Sequence, residues 1–384
     1  MLTTELIERI LTALPGKTIG LVGDLFLDRY LDLDAARNEP SVETGLTAYQ
    51  VTGVRSYPGA LGTVLNNLAA LGVGRIVPIS IIGDDGEGYE LMQELAKLPA
   101  VDASHLIRSP DRRTPTYTKP MLHGGGAVRE LNRLDIKNRT QTPVELQRRI
   151  VQQLAGLWET FDALLVLDQV SEEGCGVIST SVRDWICDRG AVEQTTLTPS
   201  PGFAGEGWGE DHVSKHPSPP APLPQSRERG DMVIARSPFV LADSREQIGN
   251  FRHVCVKPNL AEAQRWVPGS DARALAELVR APVLLTRGEA GIVLAKPGAS
   301  EVRTIPAHPV TGPIDSCGAG DSCSAAIACA MATGCSLEEA AAFGNLIASI
   351  TVQQIGVTGT APPVRVRLRW SELNSCRLSN ERDG

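Results

Sequence analysis

Gly318-Ala319-Gly320-Asp321 sets a carboxylate directly behind a turn small enough for several backbone N–H groups to converge. The run that follows, small and apolar to about Thr333, predicts a helix whose positive dipole end faces the turn. Converging amides at a helix N-terminus bind anions, most often phosphate. Asp321 is the one charged residue between Gly318 and Ala326. An acid beside an anion cradle is poorly explained by anion binding, because like charges repel. It is well explained as a general base that takes a proton from a hydroxyl attacking a phosphoryl group. The plainer alternative is that Asp321 caps the helix and the glycines make a tight turn.

Other residues carry compatible chemistry. Asn259 and Glu262, three apart at the start of a helix, project onto one side. Beside a phosphate they suit Mg²⁺, which keeps much of its water shell. On spacing alone a helix cap with its capping-box glutamate is the better reading. Asp24 and Asp28 follow an apolar strand, at the end where open α/β sheets bind ligands. Either could accept hydrogen bonds from hydroxyl groups or be a solvated loop acid. Thr286-Arg-Gly288-Glu-Ala-Gly291 closes a strand in a glycine turn. Arg133 suits a substrate phosphate or a surface ion pair equally.

These residues need a scaffold of buried strands. Apolar runs at 17–23, 74–83, 161–168, 239–243, 254–257 and 283–286 alternate with helical segments, the pattern of an α/β sheet. Thr142-Pro143 reads as a helix cap followed by proline at the first helical position. With 42% hydrophobic and 21% charged residues the chain reads as soluble and globular. A net charge of −8 and no basic stripe argue against nucleic acid. No apolar run reaches membrane-spanning length, and the first residues read as an amphipathic helix rather than a signal peptide. Eight cysteines without a Cys-x-x-Cys pair read as buried free thiols in a reducing cytoplasm.

Two segments, at about 31–57 and 114–135, are polar and alternating and read as the strands of a small lid. Residues 191–230, rich in Pro, Gly and Ser, read as a disordered insertion that joins a helix to a strand when omitted. A domain over 1–370 is therefore expected, with a tail at 371–384. From Pro362 the periodicity is weak.

The stretch from Asp315 to Asp321 resembles the second signature of the ribokinase-like (pfkB) family of sugar kinases, Asp-Thr-x-Gly-Ala-Gly-Asp. Pro58-Gly59-Ala60-Leu61-Gly62-Thr63 aligns in part with its first signature, and Thr286 to Gly291 matches its Thr-x-Gly-x-x-Gly. The resemblance implies a doubly wound α/β sheet with helices on both faces and a small β-sheet lid that also builds a homodimer. It implies a sugar or sugar phosphate as substrate, ATP and Mg²⁺ as cofactors, and Asp321 as the base. The amides of Gly318, Ala319 and Gly320 would then stabilise the moving charge. Thr286, Gly288, Gly291 and Asn345 would meet ATP, and Asn259 and Glu262 would hold Mg²⁺ through water. Asp28 first, Asp24 second, with Gly59 and Arg133, would grip the sugar. Asp24 to Tyr30 and Arg133 to Asp135 resemble the bacterial heptose-7-phosphate kinase branch. Ala60 and Thr63 depart from the signature's second glycine and its asparagine, which leaves room for another sugar or nucleoside kinase. They also leave room for a catalytically weak sensor that binds a sugar or a nucleotide.

Overall fold

The computed structural model of the chain describes residues 2–196, 237–356 and 358–380, with side chains to 191 and 375 in the first and last segments. In chain order the strands are β1 (Thr18–Gly23), β2 (Leu25–Asp34), β3 (Glu39–Pro40), β4 (Thr47–Ala48), β5 (Val51–Ala60), β6 (Arg75–Gly83), β7 (Leu106–Ser109) and β8 (Thr116–Gly124). They continue as β9 (Ala127–Glu130), β10 (Leu134–Ile136), β11 (Ala163–Asp168), β12 (Phe239–Ser244), β13 (Cys255–Val256), β14 (Val283–Thr286), β15 (Ile292–Ala295) and β16 (Arg303–Ile305). The helices are α1 (Thr4–Ala13), α2 (Leu61–Leu71), α3 (Gly86–Leu95), α4 (Val144–Leu157), α5 (Thr180–Thr196), α6 (Leu260–Gln264), α7 (Ala272–Val279), α8 (Ala319–Ala332), α9 (Leu337–Thr351) and α10 (Pro363–Asn380).

Nine strands form the main sheet in the order β16-β15-β14-β13-β12-β11-β1-β6-β7. All neighbours are parallel except at the edge, where β15 runs against β14 and β16. The apolar runs become its centre because both faces are covered. Strand alternation divides the core in two. Leu21, Leu165 and Leu241 point to the side packed by α2, α8 and α9. Val22, Val166 and Val240 point to the side packed by α4, α5 and α7. This is the doubly wound architecture expected, with helices on both faces.

The lid is a five-stranded sheet of order β10-β8-β2-β5, with β9 on β8. β2 begins at Leu25 rather than near 31, because it leaves the end of β1 after one residue and turns straight into the second sheet.

The described structure departs from expectation in three further places. The weakly periodic tail is helical as α10, and Val366, Trp370 and Leu373 are buried against the core. α5 continues through 191–196, the first residues of the expected insertion, and 197–230 lies outside the described residues. Pro143 is itself the cap residue of α4, while the Thr142 hydroxyl donates to the Gly176 carbonyl at 2.7 Å. Of the seven described cysteines all are unpaired and six are buried; Cys317 is the exposed one. Among the described residues no helix is long and apolar enough to cross a membrane.

Candidate active site

The glycine turn is built by a left-handed residue. Gly318 has φ +76° and stands as the cap of α8, and a Cβ there would lie 2.7 Å from the Thr358 methyl. An L-residue would meet both strain and collision. Asp315 holds the turn from outside, accepting from the amides of Cys317 at 2.9 Å and Gly356 at 3.1 Å. Because α8 starts at Ala319, Asp321 is its third residue and not its cap. The amides of the first turn have no carbonyl one turn earlier to bond. Ala319 donates instead to the Ser316 carbonyl at 3.2 Å.

Behind the turn lies a buried ion pair. Asp243 is the penultimate residue of β12 and Lys257 follows β13, and they meet at 2.9 Å. The Ser324 hydroxyl adds a bond to Asp243 at 3.0 Å. The Lys257 Nζ is 3.8 Å from where a Cβ on Gly320 would stand. Burial, and then the Asp243 charge, push the Asp321 carboxyl up to about 7, against the pull of Lys257 and Arg245. A carboxyl poised near neutrality can both take and release a proton.

Asp321, Ala319 and Gly320 open onto a cleft of about 740 Å³. Thr286, Gly288, Gly291 and Asn345 line the same cleft, as do Asn259 and Glu262. Gly318 stands behind it, shaping the turn. The Thr286 amide bonds the Pro258 carbonyl at 2.9 Å, tying the β14 turn to the start of α6. At Gly291, φ is +83° and a Cβ would come within 2.1 Å of the Ile305 carbonyl. The Asn345 amide nitrogen donates to the carbonyls of Ile305 and Pro306 at 3.0 Å each. Gly288, Ser316, Ala319 and Asn345 also border a second chamber of about 570 Å³, walled by Val310, Ile314 and Val352.

Asn259 and Glu262 form a complete capping box: the Asn259 side chain accepts from the Glu262 amide at 2.9 Å and Glu262 from the Asn259 amide at 2.8 Å. Burial, then Asp243, raise the Glu262 carboxyl above its ordinary range. Among the described residues no cluster of three or more His, Cys, Asp or Glu side chains could hold a metal directly. The donor set therefore suits only an ion that brings its own water and phosphate ligands, as Mg²⁺ does.

On the lid, Asp28 lies on β2. Its carboxylate is 3.6 Å from Lys119 and packs so closely on Gly59 that a Cβ there would approach within 2.7 Å. Burial raises the Asp28 carboxyl, and Lys119 opposes the shift. Asp24 turns inward. It accepts from the amides of Gln169, Val170 and Val177, at 3.0, 3.3 and 2.7 Å, and so anchors the loop after β11. Arg133 makes a two-pronged pair with Asp135 at 2.7 and 2.8 Å and lies over the Tyr117 ring. Ala60, before α2, has φ +52° and ψ −114°, a glycine conformation held by an alanine.

With this geometry in place, residues 243–363 match the family described as pfkB family carbohydrate kinase. That segment, about a third of the chain, is similar to pfkB carbohydrate kinases. It is 26% identical over 345 residues to Bifunctional protein HldE of Geobacter sulfurreducens, covering 89% of this chain and 61% of that protein. It is 27% identical over 150 residues to the protein of the same name in Gluconobacter oxydans, covering 39% and 30%. The chain thus spans less than two thirds of the length of these relatives. Its fold is that of Arabidopsis thaliana ribokinase complexed with ribose and ATP, at TM-score 0.56 and 16% identity over 92% of this chain and 98% of that one. It is also that of Escherichia coli phosphofructokinase-2 with fructose-6-phosphate, at TM-score 0.59, 16% identity and coverage of 93% and 99%.

The family match begins at Asp243, a residue to which sequence reasoning gave no role. Lys257, Arg245 and Lys119 were passed over in the same way. A signal existed for two of them. Asp243 and Lys257 are each the first charged residue after an apolar strand, the rule that singled out the acids after β1.

Proposed function

We propose that this chain transfers the γ-phosphoryl group of ATP to a sugar hydroxyl, and that the sugar is a heptose 7-phosphate accepting at C1. The observation that carries the phosphoryl transfer is Asp321: a carboxyl near 7 on the first turn of a glycine-led helix, at the edge of the large cleft. The choice of heptose is supported by the HldE relatives and by the resemblance of Asp24 to Tyr30 to heptose kinases.

In this reading the triphosphate lies along Thr286, Gly288 and Gly291, with the base in the chamber beside Asn345. Asp28 and the backbone at Gly59 hold the sugar hydroxyls. Asp321 takes the proton of the attacking hydroxyl as its oxygen bonds to the γ-phosphorus. The bond from that phosphorus to the bridging oxygen breaks, and ADP leaves with the electron pair. The amides of Gly318 and Gly320 stabilise the charge in transit, whereas the Ala319 amide, also expected to do so, is held by the Ser316 carbonyl. Glu262 and Asn259 would hold Mg²⁺ through water, and the ion would supply charge neutralisation on the phosphate oxygens. The lid closes over the sugar and keeps water from competing as acceptor. Exposed Val54 and Leu134 on the lid give a second copy of the chain an apolar surface to pack on, making a homodimer. The cytoplasm, with its ATP and reduced thiols, is the proposed location.

The test is ADP release from ATP and Mg²⁺ across a panel of sugars. Turnover is expected on D-glycero-D-manno-heptose 7-phosphate and not on ribose, nucleosides or fructose phosphates. Turnover on another member would keep the chemistry and move the specificity to Ala60 and Thr63. Silence on all, with ATP bound, would favour a sensor.

A further inference from the structure

Between the inner face of the lid and the loop after β11 lies a separate cavity of about 70 Å³, outside the Asp321 cleft. That volume holds several waters, the bulk of a phosphoryl group. Strand register fixes where it lies. Asp28 on β2 pairs with Tyr117 on β8, and Phe26 precedes Asp28 by two residues, so all three point to one face. The rings of Phe26 and Tyr117, edge to face at 5.2 Å, line the cavity. The cavity therefore opens on the same face of the lid as Asp28.

Three cations line this cavity: Arg112, Lys137 and Arg245. Arg112 is 6% exposed, and its guanidinium donates to the carbonyls of Thr140 and Cys175. Arg245 donates to the Gln169 side chain at 2.7 Å, and the Lys137 Nζ lies 5.7 Å from the centre of the Tyr117 ring. Among the described residues none of the three has a carboxylate within ion-pair distance. The acids on the cavity wall are engaged elsewhere, Asp24 by its three amides and Glu172 by Arg139 at 3.5 Å. Arg245 also lines the Asp321 cleft, so the two spaces adjoin. Arg133, which the sequence offered for a substrate phosphate, is committed to Asp135.

Asp24 acts on Arg112 and Asp321 on Arg245 only from beyond ion-pair distance. Three convergent cations with no carboxylate in direct contact, around a phosphate-sized space beside the proposed sugar-binding carboxylate, are complementary to a dianion. The geometry points to this cavity as the seat of a phosphate already carried by the sugar, at the end remote from the reacting hydroxyl. The inference rests on the reading of the chain as a sugar kinase and narrows its acceptor to phosphorylated sugars long enough to reach from Asp28 to Lys137.

Calorimetric titration without ATP tests it. Ribose 5-phosphate, fructose 6-phosphate and D-glycero-D-manno-heptose 7-phosphate are compared with their free sugars and with inorganic phosphate. At least one sugar phosphate is expected to bind about ten- to hundred-fold tighter than its free sugar, the worth of a charged hydrogen bond. Lys137→Gln, at an exposed position whose one ring contact is with Tyr117, should shrink that preference and leave free-sugar affinity unchanged. Arg245→Gln should shrink it as well. Equal binding of phosphorylated and free sugar, binding of no sugar phosphate, or a preference that survives both substitutions would overturn the assignment. So would inorganic phosphate binding as tightly as the sugar phosphate, which would mark a free-anion site. Because turnover is not read, a chain that proved unable to transfer phosphoryl groups would leave this test standing.

Discussion

Lys257 holds its ammonium 2.9 Å from the Asp243 carboxylate, and this buried pair sets the charge felt by Asp321 in the turn above it. Asp243 raises the Asp321 carboxyl and Lys257 lowers it, so the proton affinity of the proposed base depends on two residues that need not touch substrate.

Lys257→Met leaves Asp243 as an uncompensated buried charge. The expected cost is about 3–5 kcal/mol of stability. The Asp321 carboxyl should rise further, and the ascending limb of kcat/KM should move to more alkaline pH. Adding Asp243→Asn should return much of the stability and move the limb back. Thermal melts and pH–rate profiles of the single and double variants check both halves; an unchanged melt for Lys257→Met would refute the pair's role.

Asp321 must be ionised to act as a base, so kcat/KM should climb through pH 7 and then level. Asp321→Asn should lower kcat by about 10²- to 10⁴-fold with ATP still bound. Stability should move the other way. The carboxyl ordinarily ionises near 3.8 but in the folded chain near 7, so folding favours its protonated form and stability falls as pH rises between those values. The asparagine variant should therefore be more stable than the parent by roughly 2–4 kcal/mol at pH 8, and no more stable below about pH 4. Denaturant melts at the two pH values decide it.

Glu262→Gln separates the two roles of the capping box. Glutamine can still accept from the Asn259 amide, so the melting temperature should hold. Loss of the charge should raise the Mg²⁺ concentration needed for half-maximal ADP release. Asn259→Ala should cost about 1 kcal/mol as well as metal affinity. Magnesium titrations beside melts on both variants would show whether one residue pair does both jobs.

Ala60 sits at φ +52° and ψ −114°, which glycine adopts freely. Ala60→Gly should stabilise the chain by about 1 kcal/mol by releasing that strain, and Ala60→Val should destabilise it. A glycine variant that melted lower than the parent would mean that the alanine methyl packs well enough to repay the strain.

The sequence by itself determined the sheet, the lid and the turn that ends in Asp321. Buried parallel strands are continuous apolar runs, and a glycine turn ahead of a small-residue helix is local chemistry; both are written in neighbouring residues. Short-range spacing also foresaw the Asn259–Glu262 box. It could not tell which face of Asp24 would be used, because its partners at 169–177 are some 145 residues away in the chain. The ion pair of Asp243 with Lys257, the commitment of Arg133 to Asp135, and the convergence of Arg112, Lys137 and Arg245 on one cavity were decided by the tertiary structure. Burial and like-charge repulsion depend on what the fold brings within a few ångströms. A charged side chain read alone in the sequence carries no record of that company.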